Sequence, residues 1–103
     1  MLESIKILGC DYEVTETDRI TRDGYTFGEA DHVEQVIKIS KELKPQRKAE
    51  VLLHEVIHII LFALREDDLC ENERFTNSLA VTLLQIFRDN PALLALLSSL
   101  RQS

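Results

Sequence analysis

Hydrophobic and polar residues alternate along the first part of the chain, and the period then changes near residue 45. Residues 4–8, SIKIL, and 12–16, YEVTE, alternate and carry β-branched or aromatic side chains, with Gly9, Cys10 and Asp11 between them as turn material. A β-hairpin is the predicted element. Residues 17–24, TDRITRDG, mix charges and end in Asp-Gly, which predicts a connecting loop. A second hairpin follows, with strands over residues 25–30 and 35–40 around a polar turn at 31–34, and with Ile37 and Ile39 on one face of its last strand. Among so few strands the outer edge of that last strand is expected to stay unpaired, ready to receive an extended peptide as an added strand.

From Ala49 to Leu64 the chain is mostly apolar, AEVLLHEVIHIILFAL, without glycine or proline. Pro45 lacks a backbone donor and suits a first helical turn, so a helix is predicted over residues 45–65. Glu66, Asp67 and Asp68 would sit badly at the negative end of a helix dipole, and a connection to about Cys70 is expected there. Residues 71–88 suit a second helix, with Phe75, Leu79, Leu83 and Phe87 at helical spacing and Glu71 and Glu73 in its first turn. Asn90 and Pro91 form a cap and first-turn pair for a third helix reaching about Leu100. The expected architecture is one α+β domain: hairpins forming a small, mostly antiparallel sheet packed on about three helices.

The long helix carries His54, Glu55 and His58 in an HExxH arrangement. At about 100° per residue the histidines lie roughly 40° apart and Glu55 roughly 60° beyond His58, so all three leave the helix along one strip. Two imidazoles one turn apart can close on a tetrahedral Zn²⁺, and the glutamate between them can act on a water without ligating the metal. The plainer alternative is a helical core whose histidines are hydrogen-bonded to neighbours. Three ionisable groups on one strip of an apolar helix are costly to bury without a compensating charge, which favours the metal.

Composition narrows the function classes. A net charge of −6 and the absence of a basic stripe argue against a nucleic-acid surface. Acidity argues against membrane binding, and the longest apolar stretch is too short to span a bilayer. With no basic start followed by an apolar block, a soluble cytoplasmic protein is the expectation. Cys10 and Cys70 stand sixty residues apart without a CxxC pair and read as free, partly buried thiols in a reducing compartment.

A hydrolytic zinc site needs a third protein ligand and an open position. Glu66, Asp67, Asp68, Cys70, Glu71 and Glu73 are the downstream candidates, and Glu73 has the best helix context. Glu73, Asn77, Ala80 and Leu84 fall within about 60° of one another on the second helix, where the small Ala80 would allow close approach to the first. The reading E-R-F-T-N-S-L-A-V-T-L-L from Glu73, together with HExxH, resembles the ImmA/IrrE-type metallopeptidases of the gluzincin group, whose second helix carries a pattern close to E-x-x-A-N-x-F-A-x-x-L-L. Glu73, Asn77, Ala80, Leu83 and Leu84 match, whereas Thr76 replaces the usual alanine and Leu79 the usual phenylalanine. Gly9, Tyr12, Gly28, Ile37, Ile39, Leu52 and Leu53 extend the likeness to the lead-in, and the compact build is similar to phage or prophage members. The interval from His58 to Glu73 is short for the family. The resemblance implies a small zincin-like domain, His54, His58 and Glu73 as zinc ligands, and Glu55 as general base and acid.

The function expected on these grounds is zinc-dependent hydrolysis of an extended peptide or protein substrate lying along residues 35–40. The alternative is a zinc-binding regulatory domain, proteolytically inactive, that acts through protein contact. An intact Glu55 favours the enzyme, because a structural zinc site needs no base and is normally closed by a fourth ligand, for which Cys70 is the one candidate. His32, Tyr12 and Tyr25 are candidate stabilisers of a developing oxyanion. Leu93, Leu94, Leu96, Leu97 and Leu100 leave the C-terminal helix apolar on more than one side, which fits a homodimer or partner contact through it.

Overall fold

A computed structural model describes residues 3–18 and 27–100. It is an α+β fold of four strands and four helices: β1 Ser4–Ile7, β2 Cys10–Thr17, β3 Gly28–Asp31, β4 Val36–Ser40, α1 Pro45–Ala63, α2 Asp67–Glu71, α3 Glu73–Asp89 and α4 Pro91–Ser99. The loop expected over residues 17–24 and the start of the second hairpin fall largely outside the described residues.

The first hairpin turns at Leu8 and Gly9, one residue earlier than the alternation suggested, so Cys10 opens β2 instead of lying in the turn. Both turn residues have positive φ, 49° and 84°, the mirror-image two-residue turn whose twist matches the flanking strands. In the second hairpin Asp31 Oδ1 accepts from the backbone N–H groups of Val33 and Glu34 at 2.9 and 3.0 Å, and Gln35 takes φ 55° to re-enter the ladder.

The sheet order is β1-β2-β4-β3. Its two hairpins are antiparallel, and they join through a parallel pairing of β2 with β4 that aligns Val14 with Ile37 and Glu16 with Ile39. This corrects one expectation: β4 is an interior strand with both edges paired, so no peptide can add along residues 35–40. The open edge beside α1 belongs to β3, for no described strand pairs with its outer side.

One face of the sheet packs on α1. Ile7, Tyr12, Val14, Ile37 and Ile39 meet Val51, Leu52 and Ile59 in the main core, and Ile37 and Ile39 are wholly buried. Burying each of those isoleucines contributes about 1.5–3 kcal/mol. The opposite side of α1, through Ile57 and Leu61, packs on Ala80 with Leu79, Leu83 and Cys70 around it. α1 is therefore clamped between sheet and α3, and at 100° per residue His54 and His58 fall on the strip between its two packed faces.

The end of α1 differs from the expectation in its cause. Arg65 adopts φ 59°, its N–H donates to Phe62 O at 3.1 Å, and the Glu66 N–H donates to Leu61 O at 2.9 Å. That pair of bonds is a Schellman close, and it satisfies carbonyls left over at the helix end. The acidic run then starts α2 instead of a plain connection, with Asp67 and Asp68 in its first turn, where negative charge is favoured. α3 follows after one residue. Asn72 is its N-cap and accepts from the Phe75 N–H at 3.0 Å, so Glu73 is the first helical residue and Glu71 belongs to α2.

Phe75 is not part of the α3 core stripe; Thr76 and Ala80 take the buried positions. Asn90 and Pro91 do separate α3 from α4, at an angle of 89°, but the Asn90 side chain turns back to donate to Ile86 O and caps no N–H of α4. α4 touches only α3 among the described elements and buries none of its residues, leaving Leu96 and Leu100 60% and 62% exposed. Among the described residues no single helix is long and apolar enough to cross a membrane.

Candidate metal centre

Three side chains from two helices converge where α1 faces the first turn of α3. His54 Nε2 lies 3.0 Å from Glu73 Oε2, His58 Nε2 lies 2.9 Å from Glu73 Oε1, and the two Nε2 atoms are 3.0 Å apart. Local structure explains the arrangement. The histidines are one α-helical turn apart, so their rings stand one above the other. Glu73 reaches them because Thr76 and Ala80 bring α3 close: Ala80 is 1% exposed, and Thr76 is fully buried with its hydroxyl donating to Asn72 O at 3.3 Å.

This donor set fits a small divalent cation. Ligands about 2.0–2.1 Å from a tetrahedral centre stand about 3.3 Å from one another, close to the spacing of these nitrogen and oxygen atoms. Hydrogen bonding alone accounts for it poorly. If each Nε2–H donates to one Glu73 oxygen, two N–H donors face each other at 3.0 Å; a cation shared by two nitrogen lone pairs and a carboxylate removes that conflict.

Glu55 stands beside this cluster and outside it, its Oε2 4.0 Å from His54 Nε2. It is buried although it carries a carboxyl group. Burial first, then the charges of Glu73 and Glu29, push that carboxyl up to about 7. Burial also holds His54 below the ordinary imidazole value, with His58 adding to the effect, while Glu73 and a hydrogen bond that the ring donates to Asn77 pull the other way. Such perturbed groups around a cleft mark functional-site candidates.

The cleft itself measures about 280 Å³ and is lined by Phe27 just before β3, Gly28 at its start, Arg47, Val51, His54 and Glu55 from α1, and Glu73, Asn77 and Ala80 from α3, among others. Gly28 is required there: a Cβ on it would lie 2.5 Å from Val51 Cγ1 and 3.3 Å from Lys38 O, so glycine lets the open sheet edge lie directly against α1 beside Glu55. Arg47 forms part of the wall, its guanidinium 5.8 Å from the Phe27 ring centroid and 3.0 Å from Glu50.

Of the six downstream ligand candidates, only Glu73 joins the histidines. Cys70 does not close the cluster. Its Sγ is 3.5 Å from His58 Nδ1, the ring nitrogen that faces away from Glu73, and burial with acidic neighbours pushes its thiol up. His32 stacks on Phe62 with ring centroids 4.0 Å apart, and Tyr12 is buried in the sheet core; neither lines the cleft. Tyr25 lies outside the described residues. Sequence reasoning passed over Arg47 and Phe27, which carry no motif. It also missed Asn72 as the cap that sets the start of α3, although an Asn one residue before an acidic first turn is a recognisable helix-start signal.

Comparison with protein-family models, with curated proteins and with solved structures returned no match to this chain.

Proposed function

We propose that the protein is a zinc-dependent peptidase-type hydrolase whose ligands are His54, His58 and Glu73 and whose general base and acid is Glu55. One observation carries the reading: His54, His58 and Glu73 converge within 3.0 Å while a buried carboxyl, held near neutrality, stands alongside without joining them. A closed structural site has no use for such a group, whereas hydrolysis needs one. Bound there, Zn²⁺ would supply Lewis acidity, lowering the pKa of a water and polarising a scissile carbonyl.

The remaining steps belong to the chain's own residues. Glu55 takes one proton from the attacking water as the oxygen bonds to the carbonyl carbon. It delivers that proton to the amide nitrogen as the C–N bond breaks. Its place beside the donor set, Oε2 4.0 Å from His54 Nε2, suits it to take and return that proton. Asn77, hydrogen-bonded to His54, steadies the first imidazole. An extended peptide has the outer edge of β3, unpaired among the described residues, on which to lay its backbone, with Phe27 and Gly28 leading into the cleft. The exposed apolar face of α4 supports a homodimer through that helix, which contributes no residue to the cleft lining.

The test is zinc per chain by elemental analysis of protein purified without added metal, alongside cleavage of a fluorescence-quenched denatured casein. Wild type is expected to carry close to one zinc and to cleave. Glu73→Ala should lose the metal, and Glu55→Gln should keep it while losing cleavage. Zinc absent from wild type and not restored by titration would overturn the metal reading. Zinc retained with no cleavage by wild type would leave a metal-binding interaction domain.

A further inference from the structure

Cys70 is half-buried at the end of α2 and faces His58 twice: its Sγ lies 3.5 Å from the ring Nδ1 and 3.7 Å from the His58 main-chain oxygen. A thiol has one proton to give. The carbonyl oxygen can only accept, so the S–H is directed to it. The sulfur then meets Nδ1 with its lone pairs, and the contact is attractive only when Nδ1 carries the hydrogen. A neutral imidazole with its proton on Nδ1 has a bare lone pair on Nε2, the atom that points at Glu73 and His54.

We infer that Cys70 is a positioning residue of the metal centre, holding His58 in the Nδ1–H tautomer and its ring in the orientation that presents Nε2 to a divalent cation. This rests on the metal reading above. It assigns to a thiol the part that a carboxylate or backbone carbonyl usually plays behind a ligating histidine. The chain geometry around it follows from the turn after α1. The Schellman close at Arg65 reverses the chain, α2 begins at Asp67, and the third residue after that returns to the level of His58, twelve positions back. On the other side the bare Nε2 faces Glu73 Oε1 at 2.9 Å, two acceptors that a cation between them would join, so both nitrogens of the ring are addressed by residues of the segment after α1.

Two readouts test this on full-length protein. Long-range proton–nitrogen NMR of the histidine rings, on metal-free Glu73→Ala protein at pH 8, where no Glu73 carboxylate draws a proton to Nε2, should find His58 protonated on Nδ1. Cys70→Ser keeps both a donor and an acceptor and should preserve that tautomer; Cys70→Ala should shift it toward Nε2–H. Competition with a chromophoric chelator for Zn²⁺ should show Cys70→Ala about 10–100-fold weaker than wild type, with Cys70→Ser recovering most of the loss. Circular dichroism confirms that each variant is folded. His58 protonated on Nε2 in Glu73→Ala, or unchanged zinc affinity in Cys70→Ala, overturns the inference. The two readings fail separately: wild type that binds no zinc while His58 of Glu73→Ala holds the Nδ1–H tautomer sinks the metal site, and tight zinc binding indifferent to residue 70 sinks only the role of Cys70.

Discussion

Replacing Glu55 by glutamine should stabilise the metal-free protein and flatten the dependence of its stability on pH. The unfolded chain releases the Glu55 proton near 4.5, whereas the folded chain keeps it until about 7. Between those values the folded state binds more protons than the unfolded one. Stability therefore falls as pH rises through this window, and the full loss stands above about pH 7. At about 1.4 kcal/mol per pH unit the loss approaches about 3 kcal/mol at pH 8. Glutamine has the same shape and no proton to lose, so it escapes the penalty of an ionised carboxylate in this environment.

Urea denaturation followed by circular dichroism, in chelator at pH 5, 6, 7 and 8, measures the effect. The two proteins should be close in stability at pH 5, with the variant ahead by up to about 3 kcal/mol at pH 8, a difference on the order of 10–20 °C in Tm. Saturating zinc should narrow the gap, because a cation beside Glu55 favours its ionised form. A gap that does not grow between pH 5 and pH 8 would refute the reasoning, since the stability change would then have nothing to do with ionisation of residue 55.

Two further substitutions probe the framework around the site. Gly28→Ala places a Cβ 2.5 Å from Val51 Cγ1 and 3.3 Å from Lys38 O, so it should cost about 1–3 kcal/mol in denaturant titrations, and Val51→Ala in the same chain should recover part of that loss; an additive double mutant would show that the clash is not the cause. Arg65→Gly relieves a left-handed φ of 59° at the close of α1 and should raise stability by about 1 kcal/mol, whereas Arg65→Val should lower it; equal Tm values for the two variants would count against the backbone account.

The motif helix and its partner glutamate were legible in the sequence because their signals are local. Pro45 marks the start of α1, the apolar run marks its burial, and His54, Glu55 and His58 share one strip by helix geometry alone. Glu73 could be favoured because Ala80, seven residues on, points to close helix packing, and Ala80 is indeed 1% exposed. What escaped is non-local or conformational. Nothing in the alternation of residues 12–16 and 36–40 says that β2 and β4 pair in parallel, so the interior strand was taken for the edge. An arginine in the left-handed region carries no sequence signal, unlike a glycine, so the Schellman close at Arg65 was invisible and α2 was read as a connection.

Those missed features are the ones that set the spacing of the site. His58 and Glu73 are fifteen residues apart, and a straight chain continuing from α1 would carry Glu73 away from the histidines. The close at Arg65 reverses direction within two residues, the five residues of α2 step the chain sideways past His58, and the Asn72 cap starts α3 with Glu73 as its first residue. A short interval between motif and third candidate ligand is thus compatible with a converged donor set because the return is made of a Schellman turn, one helical turn and a side-chain cap, with no free loop to order. The same economy brings Cys70 against His58 Nδ1. On the other flank Gly28 lets β3 close onto α1 beside Glu55, so the open strand edge and the carboxyl come together by the absence of a single methyl group. The proposed chemistry resides in HExxH, and the geometry resides in the turns, caps and small residues that bring other parts of the chain to it.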